Sequence, residues 1–185
     1  PMRAATALQR RPYREVEDHL SQSVTRHLPE LLRAASIQNV NLRGNAIEQL
    51  ITGEINAHRA DDLVFPLGEG EKLLVDIKTK LLDRASAPKA YNIDKMLSML
   101  ASTEATFAFF FIGIDVARST CSTRLVSVFD PIIIDATRVQ MHWAGRASRG
   151  VTQLTGDMSP IFAPTYVPSV DILKGQLLLR SFIDR

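Results

Sequence analysis

The stretch Asp61–Lys80, "DDLVFPLGEGEKLLVDIKTK", decides the fold. A short apolar run, the turn signal Gly68-Glu69-Gly70 and a longer apolar run follow one another, which predicts an antiparallel hairpin. Successive side chains on a strand point to opposite faces. Asp76, Lys78 and Lys80 therefore share one face of the second strand, and Val75, Ile77 and Thr79 the other. A strand with an apolar start that aims a carboxylate and two ammonium groups one way needs a polar partner there.

Upstream, Val16, Leu20, Val24 and Leu28 recur at helical steps from Tyr13 to Ser36, and Pro29 ends that helix and opens a second, "PELLRAAS". "GNAIEQLITGEINA", Gly44–Ala57, predicts another helix. Downstream, "APKAYNIDKMLSMLAS" (Ala87–Ser102) reads as a helix and "TFAFFFIGIDV" (Thr106–Val116) as a strand buried on both faces. "TRLVSVFDPIIID" (Thr123–Asp135) reads as a further strand, and Asp130 before Pro131 as a turn residue. Thr137–Asp157 reads as a short helix leading into a basic loop, and a final helix spans Val170–Ile183. The order predicts an α/β fold with a central mixed sheet flanked by helices.

A chain of 185 residues suits a single domain, 1–185, with a sizeable core. Within it, 1–40 is helical, 41–130 is the core and 131–185 carries a polar loop and the last helix. No apolar run approaches the roughly 20 residues of a membrane span, and "PMRAATALQRRPYREVEDHL" has no apolar signal-peptide stretch. Cys121 is the only cysteine, which excludes an internal disulfide or a cysteine-rich zinc site and fits a reducing cytoplasm, here expected to be prokaryotic. The net charge of +2 says little about nucleic acid until the basic residues are located. No glycine-rich phosphate loop follows a strand, and no histidine pair has zinc spacing.

Hairpin pairing brings the start of one strand beside the end of the next, so Asp62 and Asp76 are expected to approach each other. Two close carboxylates repel unless a cation sits between them, and Mg²⁺ is the hard, oxygen-seeking ion that suits. Lys78 faces the same place. An Asp-x-Lys pair alone describes a structural ion pair as well as a catalyst; the context decides.

A helix bearing a glutamate, a strand opening on an acid and a strand carrying Asp-x-Lys, in order over Arg43–Lys80, resembles the PD-(D/E)XK nucleases. Within them it looks most like type II restriction endonucleases, several of which carry a similar "DIKT" strand. The resemblance implies a restriction-endonuclease-like fold and Mg²⁺-dependent hydrolysis of phosphodiester bonds in double-stranded DNA at a specific site. It implies Asp62, Asp76, Lys78 and Glu48 as catalytic residues, with Asp62, Asp76 and Ile77 as metal ligands. "RADDLVF" lacks the family's proline before the first acid, so Asp61 stands as an alternative to Asp62. "RGNAIEQLI" favours Glu48, whereas the stripe Ile47, Leu50, Ile51 and Ile55 encloses Glu54, which stays open as the helix acid.

"HWAGRASRGVTQL", His142–Leu154, groups Arg146, Ser148, Arg149, Thr152 and Gln153 with two glycines and no acid. Arginine pairs bidentately with guanine and glutamine with adenine, so these are the expected base-reading residues. His142 and Trp143 read as a packed aromatic edge. Lys80, Arg84 and Lys89, in "KTKLLDRASAPKAYN", are expected to hold phosphates. Cutting both strands of a palindromic site requires two active sites, hence a homodimer, with Tyr13–Ser36 as the expected dimer element. A Holliday-junction-resolvase type of nuclease and a non-enzymatic DNA-binding module with an acidic ion-pair network are the alternatives.

Overall fold

The computed structural model describes residues 11–55, 63–68, 70–102, 105–134, 139–143, 151–167 and 172–184. The chain runs α1 (Arg11–Arg26), α2 (Leu28–Ala35), α3 (Val40–Ile55), β1 (Leu63–Gly68), β2 (Glu71–Leu81), β3 (Lys89–Asn92) and α4 (Ile93–Ala101). It continues with β4 (Ala105–Asp115), β5 (Thr120–Ser127), α5 (Pro131–Ile134), β6 (Val139–Trp143), β7 (Val151–Gly156), α6 (Ser159–Phe162) and α7 (Ile172–Ile183).

The hairpin forms as expected, with Leu63 opposite Val75 and positive φ at Gly68 (92°) and Gly70 (81°), a region in which a side chain would be strained. β2 pairs parallel with β4, and β4 antiparallel with β5, so the sheet has the mixed order β1-β2-β4-β5. β4 is central because its nine residues Phe107–Asp115 are all buried. Ala108, Phe110, Ile112 and Ile114 face one core together with Leu73 and Val75 of β2. Phe107, Phe109 and Phe111 face the other. That two-residue alternation makes the sheet the middle of three layers.

The first layer is α1–α3. Tyr13, Val16, Leu20 and Val24 bury α1 against the sheet. Glu17 Oε1 accepts from the Leu125 amide at 3.0 Å, and the Ser21 and Thr123 hydroxyls lie 2.8 Å apart. The apolar stripe of α1 is thus covered by the chain's own sheet. Pro29 sits in the first turn of α2, as its fixed φ favours. α3 starts before Gly44 because Asn39 Oδ1 accepts from the Asn41 and Leu42 amides at 3.0 and 3.1 Å, capping the helix early.

The opposite layer holds α4, α7 and a second sheet, β3-β7-β6. Three expectations are corrected here. The helix expected over Ala87–Ser102 begins only at Ile93. Asn92 caps it through the Lys95 amide at 2.8 Å, and Lys89–Asn92 instead pairs with β7. The strand expected over Thr123–Asp135 starts at Thr120 and stops at Ser127; Asp130 then turns the chain, accepting from the Ile132 amide at 2.9 Å, into the short α5. The helix expected within Thr137–Asp157 is a β6–β7 ladder, because Met141 and Leu154 pair across it and bury inward. Trp143 packs on Phe182 of α7, ring centroids 5.2 Å apart, the aromatic edge anticipated for it.

Candidate active site

β1 ends, within the described residues, opposite Val75, while β2 runs on to Leu81. The far half of β2 borders a cleft of about 470 Å³ between the first turns of α3 on one side and β3 with β7 on the other. Arg43, Glu48, Ile77, Lys78, Lys89 and Gln153 are among its lining residues. Five positions singled out from four separate stretches of sequence (Glu48, Ile77 with Lys78, Lys89, Gln153) therefore meet at one place. Arg43, not singled out as a site residue, joins them, its guanidinium held by the Ile37 carbonyl at 3.2 Å.

Asp76 lies behind Lys78, 9% exposed. Its Oδ1 is 2.7 Å from Lys78 Nζ and its Oδ2 3.9 Å from Lys95 Nζ. A buried carboxylate needs such compensation, and two ammonium groups supply it. The floor is aromatic: Tyr91 and Phe109 stack with centroids 4.6 Å apart. Lys78 Nζ lies 5.8 and 5.7 Å from the two ring centroids, and Lys95 Nζ 5.1 Å from that of Tyr91. Sequence reading missed Lys95 because the helix was expected to start too early. Asn92 as its cap was the available signal.

The other expected residues divide. Thr152 is fully buried, and its hydroxyl accepts from the Tyr91 amide at 3.2 Å and donates to the Tyr91 carbonyl at 3.0 Å. Its side chain mends the irregular β3–β7 pairing and has no surface to offer a base. Lys80 is also buried, its ammonium donating to the Ser86 carbonyl. Burial pushes its pKa down, partly offset by Asp157, so it braces the loop under the cleft instead of reaching a phosphate. Arg84 is exposed and bonded to its neighbour Asp83 at 3.3 Å, away from the cleft lining. Asp61, Asp62, Arg146, Ser148, Arg149 and the Glu54 side chain lie outside the described residues.

Asp76, Glu48 and the main-chain oxygen of Ile77 are hard oxygen donors, the ligand type that a divalent ion such as Mg²⁺ takes. In this structure both Asp76 oxygens face lysine ammonium groups, which stand where a cation bound to that carboxylate would be. Among the described residues, no group of three His, Cys, Asp or Glu side chains is gathered to hold a metal. Also among them, no helix is long and apolar enough to cross a membrane. No protein-family model matches the chain, and no curated protein sequence matches it.

Proposed function

We propose that this protein is a Mg²⁺-dependent nuclease of the PD-(D/E)XK type that hydrolyses phosphodiester bonds in double-stranded DNA at a specific site, acting as a homodimer. The observation that carries the reading is the convergence of Glu48 with Ile77 and the Asp76-backed Lys78 at the far half of β2. That end is flanked by Arg43 and Lys89. Asp76 and Glu48 would hold the ion, which supplies positive charge to the phosphate and lowers the cost of ionising a water. Lys78 would orient the attacking water and offset charge that builds on the phosphate oxygens. Arg43 and Lys89 would grip neighbouring phosphates, and Gln153 would reach toward a base edge.

The observation that Asp76 satisfies two lysines favours one other reading, a DNA-binding module in which these groups form a structural network. Incubating the protein with unmethylated phage DNA and Mg²⁺ separates the two. Discrete fragments from the wild type and none from Asp76→Ala support the nuclease, whereas retention without cutting supports the module. Branched and linear duplexes run in parallel distinguish a junction resolvase from a site-specific enzyme.

A further inference from the structure

The cleft beside β2 carries two kinds of polar side chain. Arg43, Lys78 and Lys89 only donate hydrogen bonds, which matches phosphate oxygens. Asn41, Asn45 and Gln153 line it as well, and a carboxamide both donates and accepts. Asn41 and Asn45 stand one helical turn apart on α3 and so share a face of that wall. Gln153 comes from the opposite wall. It lies across from Lys89 in the β3–β7 pairing, while its neighbours Thr152 and Leu154 are buried on the other face of β7.

Local structure accounts for none of these three amides. An asparagine near a helix start ordinarily caps it, but here Asn39 does so, through the Asn41 and Leu42 amides. Asn45 sits inside the helix, where asparagine is a poor helix former. Asn41 and Asn45 are exposed and Gln153 is half-buried. Among the described residues, none of the three side chains is bonded to another protein group. Their chemistry suits a ligand that presents a donor and an acceptor side by side. The major-groove edge of adenine, with its N6 amino group and N7, is such a surface. A base drawn out of the duplex would be held by stacking, and no aromatic side chain is among the described residues lining the cleft, so the edge read is that of a paired base.

We infer that Asn41 and Asn45 are specificity-determining residues which, with Gln153 from the facing wall, read the edges of A·T pairs in duplex DNA. The inference rests on the proposed function only in that DNA is the ligand of the cleft, and it involves no metal. Arg43 and Lys89 then set where the backbone lies, and the carboxamides set which sequence is held there.

The full chain is used, in EDTA so that no metal-dependent cutting occurs, to select duplexes from a pool with a random core, and affinities are then measured by anisotropy. The wild type selects a sequence containing A·T pairs. Asn41→Ala and Asn45→Ala each bind that sequence about tenfold more weakly, as the loss of one bidentate contact implies, and bind a scrambled duplex as the wild type does. Replacing the adenine concerned by 7-deazaadenine, in which carbon stands for N7, weakens the wild type similarly and the corresponding variant little further. Alanine is the better helix former, so the variants should melt no lower than the wild type. A selection without A·T preference, variants that select and bind as the wild type does, or equal losses on selected and scrambled duplexes overturn the inference. Discrete fragments from phage DNA with Mg²⁺, unchanged in the asparagine variants, overturn it while the nuclease reading stands. Selective binding that depends on the asparagines, with no cutting under those conditions, supports it and overturns the nuclease reading. Absence of both duplex binding and cutting overturns the two together.

Discussion

Removing one member of the Asp76–Lys78 pair should cost more stability than removing both. The two groups are 2.7 Å apart with side chains 12% and 13% exposed, so each was largely stripped of water on folding. Breaking a fully buried pair by deleting one partner costs about 3–5 kcal/mol, because the other charge is left uncompensated. Lys78 borders the cleft, where water partly screens it, which brings the expectation to about 2 kcal/mol for either Asp76→Leu or Lys78→Met. In a domain of this size that lowers Tm by roughly 4–8 °C. The double variant removes the desolvation cost along with the attraction. It leaves two apolar side chains above the Tyr91 and Phe109 rings and lets Lys95, 26% exposed, turn to water. Its stability should lie within about 1 kcal/mol of wild type. Equilibrium urea unfolding followed by circular dichroism, comparing midpoints at constant m, measures the cycle. Additive losses in the double variant, or single variants as stable as wild type, would refute the reasoning. On the proposed function all three variants are inactive, so the stable double variant would separate a residue's chemistry from its contribution to folding.

Cleavage should require Mg²⁺ or Mn²⁺, and Ca²⁺ should support DNA binding with little cutting, since it is larger and activates water less well; efficient cleavage in EDTA contradicts this. Lys89→Ala should weaken cognate and random duplexes alike and shrink the salt slope by about one, whereas Gln153→Ala should cost about 1–3 kcal/mol on the cognate duplex only, as read by competition binding at two salt concentrations. Gly175→Ala places a Cβ 1.6 Å from the Phe129 carbonyl oxygen, so α7 must lift off the turn after β5. The loss should be about 3 kcal/mol, and a wild-type urea midpoint would show that the helix is not seated there. Burial and the Asp130 carboxylate, which accepts from the Tyr166 hydroxyl at 2.5 Å, push the Tyr166 pKa well up. Above about pH 10 the unfolded chain then releases a proton that the folded chain keeps, and stability falls as pH rises. Tyr166→Phe should lose less stability than wild type between about pH 9 and about pH 11, and parallel urea curves would count against a buried neutral phenol.

Much of the fold was legible in local pattern. The hairpin followed from two apolar runs around a glycine turn, the central strand from "FAFFFIGI", and the α1–α2 break from Pro29 in the second helix's first turn. Alternation along β2 correctly placed Asp76 and Lys78 on one face and Val75 on the other, because a strand's period is set by its backbone alone. Local pattern failed where long-range pairing overrode it. Lys89–Asn92 has a helix-compatible sequence, yet it pairs with β7 some sixty residues later, and the Thr152 hydroxyl completes that pairing, which took Thr152 out of the expected DNA surface.

The sequence by itself determined which chemistry the chain carries: a carboxylate and lysine two apart on an inward strand, a glutamate on the preceding helix, and arginine, lysine and glutamine in polar segments. Only the tertiary structure decided which of these meet. Glu48 and Lys78 share a cleft because α3 packs beside the far half of β2. Gln153 and Lys89 arrive there through the β3–β7 ladder, and Lys95 through a helix whose start depends on one asparagine cap. Periodicity and capping act within a few residues and are written in the chain. The placement of one element against another depends on burying apolar faces contributed by distant segments, and that decision belongs to the folded chain as a whole.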